Sequence, residues 1–292
     1  MSSKTGIVFS TYNSAAYVKE CLVSCIYQDH HDVEIVVVDD GSEDHTSEVI
    51  RKYAGLSERV HFIQLPHGER GIARKTAINK ALELEVDYLF IIDSDMMLEK
   101  TLVSKCVSYL SDSKTGALVI PEVAYSSYDN LFSRVKVFER NLYHIDDPEI
   151  DANSIEAARF WKVSEYLKTG GINVKQISFE EIQPTIRYVE MGGTVERATF
   201  TAVYHDEKYV SFKELMKKKM YYFKVMPKTI ASEKEGFKKA LQRWYFFRPI
   251  LYKKQNLKKY AAHPGLTGGL VFMYASLSVG GVVQLLKNRS KG

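Results

Sequence analysis

The sequence predicts an α/β protein built on a mostly parallel sheet, and three observations predict it. Short, apolar, β-branched runs recur through the first 120 residues. Between them, apolar positions return at helical spacing. Several runs stop at small clusters of hydroxyl, amide or acidic side chains. Repeated βα units of this kind require parallel strands joined by right-handed crossovers.

Taken in order, Ile7-Val8-Phe9 is the first strand and ends at Ser10-Thr11-Tyr12-Asn13, after which Ala15, Val18, Leu22 and Ile26 mark a helix to Tyr27. Val33-Glu34-Ile35-Val36-Val37-Val38 is almost wholly apolar, as a strand covered on both faces should be, and stops at Asp39-Asp40-Gly41-Ser42. Ser42 and Asp44 are candidate N-caps for the helix that follows. Val60 to Leu65 is a third strand, Gly71 to Leu84 a helix, Tyr88 to Ile92 a fourth strand, Leu98 to Leu110 a helix and Ala117 to Ile120 a fifth strand. Ligands bind such sheets at the carboxyl ends of the strands. That rule gathers Thr11 to Asn13, Asp39-Asp40 and Asp93-Ser94-Asp95 along one edge, although they lie up to 84 residues apart.

After Pro121 the alternation breaks. Residues 121–190 carry unusual charge among apolar residues, including Glu122, Glu139-Arg140, Glu156 and Arg159, and a Gly170-Gly171 turn precedes Glu180-Glu181. Thr194 to Tyr204 alternates as one more strand, ended by His205-Asp206-Glu207. At 292 residues and 45% hydrophobic content, the chain fits one large α/β unit or one unit with an appendage. Cys21, Cys25 and Cys106 lack metal-ligand or disulfide-framework spacing and read as reduced core residues of a cytosolic protein. With a strand starting near Gly6, no signal peptide is expected.

The net charge of +4 conceals an asymmetry. Residues 1–206 hold 21 Lys+Arg against 32 Asp+Glu, whereas residues 207–292 hold 19 against 4. A basic tail calls for an anionic partner, nucleic acid or a lipid surface. Hydrophobicity decides for lipid and against nucleic acid: from Pro264 to Leu286 no side chain is charged, long enough as a helix to cross a bilayer core of about 30 Å. Residues 211–263 read as basic, aromatic-rich helices suited to a headgroup layer, with Lys217-Lys218-Lys219, Tyr221-Tyr222-Phe223 and Arg243-Trp244-Tyr245-Phe246-Phe247-Arg248.

Asp93-Ser94-Asp95 carries the most chemistry. Two carboxylates one residue apart, where a buried strand emerges, supply oxygen ligands to a hard divalent cation and leave sites open for substrate phosphate. An acidic turn after a strand has the same local sequence, so the rest of the chain has to decide.

Six motifs, in order, make the chain resemble the family-2 glycosyltransferases of the GT-A fold over roughly residues 5–207: Ser10-Thr11-Tyr12-Asn13, Val38-Asp39-Asp40-Gly41-Ser42, Gly71-Ile72-Ala73-Arg74, Asp93-Ser94-Asp95, Gly170-Gly171 and Glu180-Glu181. The stretches Ile120-Pro121-Glu122 and Ile155-Glu156-Ala157-Ala158-Arg159-Phe160 also look like a membrane-associated archaeal and bacterial branch. Gln242-Arg243-Trp244 is similar to the Q-x-x-R-W signature of processive synthases, but its spacing departs from it.

The resemblance implies a Rossmann-like sheet with flanking helices plus a basic, apolar helical C-terminal region. Residues 1–206 would form the catalytic domain, 1–105 its nucleotide-sugar half and 106–206 its acceptor half; 207–263 would be basic amphipathic helices and 264–292 a membrane-associated or transmembrane segment. It implies transfer of a sugar from a nucleoside-diphosphate sugar, with inversion, assisted by Mg²⁺ or Mn²⁺. Asp95, Asp93 and His205 are the implied metal ligands, His205 being open also to a purely structural reading. Thr11, Tyr12, Asn13, Asp39, Asp40, Arg74, Asp93 and Ser94 would hold the nucleotide sugar: Tyr12 stacking on the base, Asp39 or Asp40 accepting from its ring N–H, and Arg74 lying near the diphosphate. Glu181 or Glu180 would be the general base; the second residue of this acidic pair is usually Asp, so Glu181 lengthens the reach by one methylene.

The expected acceptor is held at the cytoplasmic face of the cell membrane, a polyprenyl or dolichyl phosphate or a lipid-linked saccharide. A soluble glycan or protein acceptor is the alternative within the enzyme class. A non-catalytic nucleotide-sugar-binding scaffold is the alternative outside it.

Overall fold

The computed structural model describes residues 3–68, 70–144, 154, 156–174, 181–220 and 247–289, with residues 70 and 284–289 described by backbone alone. Glu180, Ile155, Tyr221-Tyr222-Phe223, Lys238-Lys239 and Arg243 to Phe246 lie outside the described residues. The chain divides into two units: Met1–Val123 with Asp146–His205, and Ala124–Ile145 with Asp206–Gly292.

The first unit is built on a seven-stranded sheet of order β3-β2-β1-β4-β8-β6-β9. β1 (Thr5–Thr11) lies parallel to β2 (Val33–Asp39) on one side and to β4 (Tyr88–Ile91) on the other, and β3 (Val60–Gln64) runs parallel outside β2. Strand order reverses between β1 and β4, which is where a doubly wound sheet opens a crevice at its carboxyl edge. Register brings Thr11 opposite Asp39, and Asp93-Ser94-Asp95 follows directly on β4, so the edge predicted from sequence exists.

Because successive strand residues face opposite sides, the sheet has two cores. On one side Ile7, Phe9, Ile35 and Phe90 pack with Leu22, Cys21 and Cys25 of α1 (Val18–Ile26) and with Leu102 and Cys106 of α4 (Leu102–Ser111). All three cysteines are buried free thiols. On the other, Val8, Val36, Leu89 and Trp161 pack with Ala73, Ala77 and Ala81 of α3 (Arg70–Glu83), whose small side chains let the helix lie close to the sheet. Burial of each large apolar side chain here contributes about 1.5–3 kcal/mol. Among the described residues the remaining helices of this unit are α2 (Thr46–Ala54), α6 (Val163–Lys168) and α7 (Ile182–Glu190).

Three elements differ from the sequence expectation. The helix expected from Leu98 begins at Leu102, because Met96–Leu98 forms β5 and pairs antiparallel with β10 (Val203–Asp206), Met96 opposite His205. Thr194 to Tyr204 is two strands, β9 (Val195–Arg197) and β10, broken by a turn in which Thr199 N–H donates to Arg197 O at 3.0 Å and Thr201 N–H to Ala198 O at 3.3 Å. The first-unit ends of β7 (Glu122–Tyr125) and β10, with β5, make a small sheet of order β5-β10-β7. β8 (Arg159–Lys162) is inserted antiparallel between β4 and β6 (Ala117–Val119), so the sheet is mixed.

The charges that looked out of place after Pro121 make β8's surroundings possible. Arg197 grips Glu156 with both terminal nitrogens, Nη2 to Oε1 at 2.7 Å, and both side chains are buried. Glu156 also accepts from Glu122 N–H at 3.0 Å and from Ser154 Oγ at 2.8 Å, while Glu122 Oε1 accepts from Ala157 N–H at 2.7 Å. Arg159, fully buried, donates to the carbonyls of Ser154 at 2.8 Å, Ala158 at 3.1 Å and Glu156. Burial pulls its guanidinium pKa below the usual value, against the opposing pull of Glu181 and Glu156. A network this deep has to be fully hydrogen-bonded to be tolerated.

In the second unit α5 (Leu131–Asn141) packs against the 26-residue helix Pro264–Arg289. Residues 212–220 and Lys254–Ala262 are also helical, and Pro249–Tyr252 forms a 3₁₀ turn. Burial alone would raise the Glu139 carboxyl, but Lys136 and Arg248 outweigh it and hold the group far below the usual carboxylate range.

Arg197→Met should lower the unfolding free energy by about 3–5 kcal/mol, because Glu156 is then buried without its countercharge. Adding Glu156→Gln, whose amide oxygen still accepts from Glu122, should restore much of the loss. Urea denaturation of the four proteins in this cycle measures both effects.

Candidate active site

The crevice at the carboxyl edge is assembled from the ends of β1, β2 and β4, from α3 and from the residue that opens α7. Arg74 of α3 is 1% exposed and stands between two carboxylates. Its Nη2 pairs with Asp93 Oδ1, and its Nη1 lies 3.3 Å from Glu181 Oε2. Asp93 retains 26% side-chain exposure and Glu181 only 7%, so the guanidinium links a carboxylate at the rim to one inside. A planar guanidinium presents donors along more than one edge, which an ammonium does not.

Glu181 is held in place by α7, which starts at the next residue. Tyr188 of α7 lies so close to the backbone at Gly193 that a Cβ there would come within 2.3 Å of its ring. Its hydroxyl donates to Glu165 at 2.9 Å, and its ring meets Trp161 edge-on at 5.6 Å. Burial, and then Glu165, push the Tyr188 hydroxyl up to about 12, so it remains a donor throughout the neutral range.

Asp95 lies beside His205 of β10: its Oδ1 is buried without a hydrogen-bond partner and sits 3.5 Å from His205 Nδ1. Among the described residues no three or more His, Cys, Asp or Glu side chains are gathered in the manner of a metal centre. The expected trio is split, Asp93 on Arg74 and Asp95 on His205. An acceptor oxygen left without a donor, next to an imidazole nitrogen, fits two ligands of a cation whose other positions are filled by substrate oxygens.

At the other end of the crevice Tyr12, 40% exposed, stacks on His67 with ring centroids 4.1 Å apart and planes 18° from parallel. His67 Nδ1 lies 2.9 Å from Asp40 O, and Gly68 N–H donates to Asp40 Oδ1 at 3.1 Å. Gly41 permits this close approach: its φ is +71°, and a Cβ there would lie 2.4 Å from His67 N. Asp39 is fully buried, its carboxylate taken up by Ser42 and Ser47. Thr11 is buried at the end of β1, and its backbone carbonyl accepts from Asp40 N–H at 2.9 Å. Asn13, at φ +47°, receives Glu43 N–H on Oδ1 and donates its own N–H to Ser42 Oγ, both at 2.9 Å. Ser94 Oγ lies 3.5 Å from Ser14 Oγ. His67 was not among the expected residues; its place just past the carboxyl end of β3, on the same edge, is the signal that finds it.

The residue pattern that defines glycosyl transferase family 2 matches residues 6–162, and the chain belongs to that family. It is 28% identical over 161 residues to glycosyltransferase GlyA of Streptococcus pneumoniae, across 50% of this chain and 23% of that protein. It is 34% identical over 113 residues to the chondroitin synthase of Pasteurella multocida, across 39% of this chain and 11% of the other. The chain thus spans a quarter or less of the length of these two relatives. In fold it is similar to Staphylococcus aureus TarS 1–349 in complex with UDP-GlcNAc (TM-score 0.58, 18% identity, 89% of this chain and 75% of that one). It is also similar to the mannosyltransferase PcManGT of Pyrobaculum calidifontis in complex with GDP-Man and Mn²⁺ (TM-score 0.55, 17% identity, 100% of this chain and 76% of the other). The fold is GT-A.

Arg74→Met should cost about 3 kcal/mol of folding stability at pH 7, since Glu181 loses the cation beside it in a buried setting. Denaturant titration of the two proteins measures the loss.

Proposed function

We propose that this chain transfers a sugar from a nucleoside-diphosphate sugar to a membrane-held acceptor, with inversion at the anomeric carbon. The observation that carries this reading is Arg74, buried between the Asp93 carboxylate and Glu181 at the strand-order switch of a GT-A sheet. Family membership and the nucleotide-sugar complexes of similar folds support it.

In this reading residues 1–105 bind the donor and 106–206 turn toward the acceptor. The base of the nucleotide stacks on Tyr12, backed by His67, with the buried Asp40 holding the His67–Gly68 backbone and Thr11, Asn13, Asp39 and Ser94 shaping the loops around it. Arg74 turns its fork to the diphosphate, where negative charge accumulates as the glycosidic bond breaks. Asp95, Asp93 and His205 would hold Mg²⁺ or Mn²⁺, and the bound cation supplies further positive charge to the leaving diphosphate. Glu181 takes the proton from an acceptor hydroxyl as its oxygen forms the new bond to the anomeric carbon and the bond to the diphosphate oxygen breaks. Glu180 is its neighbour in that role.

The acceptor is a polyprenyl or dolichyl phosphate or a lipid-linked saccharide at the cytoplasmic face of the membrane. The support is the 19 Lys+Arg against 4 Asp+Glu of residues 207–292, together with the uncharged stretch from Pro264 to Leu286.

Asp95→Asn should remove most turnover and weaken donor binding in Mg²⁺ or Mn²⁺ while leaving metal-free thermal stability nearly unchanged; turnover that is indifferent to both the substitution and a chelator contradicts the assignment. Glu181→Gln should nearly abolish transfer to a saccharide hydroxyl with donor affinity almost intact. Transfer to a lipid phosphate, already substantially ionised with a second pKa of about 6, should survive far better, and parallel assays with the two acceptors separate the cases.

A further inference from the structure

The helix Pro264–Arg289 is long and apolar enough over Pro264–Val283 to cross a bilayer. Its packing within the second unit argues for something else. Leu270, Met273, Tyr274 and Leu277 recur at helical spacing and are all at most 4% exposed. This stripe lies on the side packed within the unit, where α5 is the main neighbour. Tyr274 carries the decisive contact: its hydroxyl donates to Glu139 Oε1 at 2.7 Å, and Glu139 is also held by Lys136 and by Arg248 Nη1 at 3.2 Å. A spanning helix would have to pull this tyrosine out of a buried, charged cluster and leave Glu139 short of a donor.

The opposite face is the anomaly. Val271, Val279, Val282 and Val283 are 44–66% exposed and contain no polar group to meet water, while Phe272 beside them packs on Phe212 with ring centroids 5.3 Å apart. A helix that covers a core on one side ordinarily turns charge outward on the other. Here both sides are apolar, within a segment holding 19 basic residues against 4 acidic ones over 207–292. An apolar outward face on a stretch of sequence this rich in cations matches an anionic bilayer surface, where side chains sink to the acyl boundary and lysines meet phosphates.

We infer that Pro264–Arg289 is an in-plane membrane helix: it stays docked through Tyr274 and Glu139 and buries its Val271-Val279-Val282 face in the leaflet without crossing it. The inference rests on the membrane-held acceptor proposed above and specifies how the chain meets the membrane.

The test uses membranes from cells making the full chain with an epitope at each end. Protease added to sealed vesicles of known orientation should digest both epitopes from the same side, at equal rates with and without detergent. Digestion of the two from opposite sides means that the helix spans, and overturns the in-plane arrangement while leaving the membrane reading standing. A chain found wholly in the soluble fraction overturns both. As a second arm, the Val279→Asp/Val282→Asp double variant, altered only on the exposed face, should bind vesicles containing anionic lipid at least tenfold more weakly than wild type, with unchanged donor affinity. Undiminished vesicle binding overturns the assignment of that face to lipid. So does lipid-free wild type that is dimeric where the double variant is monomeric, since a second copy is then the occupant.

Discussion

One buried guanidinium organises the first unit's site. Arg74 is held by α3, Asp93 by the end of β4 and Glu181 by the start of α7, so the ion pairs tie together three elements that have no local reason to meet. Two carboxylates brought together near the low-dielectric interior repel one another, and a cation between them removes that penalty.

A second charged network supports the first. Glu122, Glu156 and Arg197 hold the backbone that leads into β8, and Arg159 grips three carbonyls of the same stretch while its Nε lies 3.4 Å from Thr185 Oγ1 on α7. Arg159 is also in register with Ile91, two residues before Asp93. One buried side chain is therefore in contact with the helix that carries Glu181 and lies on the strand beside the one that carries Asp93. The stretch around Glu156 and Arg159 stood apart in the sequence as charge among apolar residues, and in the fold it acts as a frame around the site.

What could be read from the sequence was what local pattern determines. The runs at Ile7, Val33 and Tyr88 and the helical spacing after each gave β1, β2, β4 and their helices, and the rule for open sheets placed Thr11, Asp39 and Asp93 on one edge. What could not be read depends on pairing across long separations. Arg74 and Glu181 are 107 residues apart and Glu156 and Arg197 are 41 apart, and no spacing rule names such partners. β8 carries Arg159 next to Phe160 and Trp161 and shows no simple alternation, because its neighbours on both sides and its buried carbonyl contacts are tertiary. The alternation over Thr194 to Tyr204 was genuine in each half but hid a turn. The C-terminal apolar stretch satisfied the length and composition of a span; the buried stripe from Leu270 to Leu277, with Tyr274 on Glu139, distinguishes its docked face from its outward one.

The donor's diphosphate is proposed to lie at Arg74. A crystal structure of the chain with a nucleoside diphosphate and Mn²⁺, the ion located by its anomalous signal, tests that directly. The expected result is diphosphate oxygens within hydrogen-bonding distance of Arg74, Mn²⁺ on Asp95, and the base against Tyr12. A nucleotide bound elsewhere on the sheet, with Arg74 still closed on Asp93 and Glu181, would contradict it.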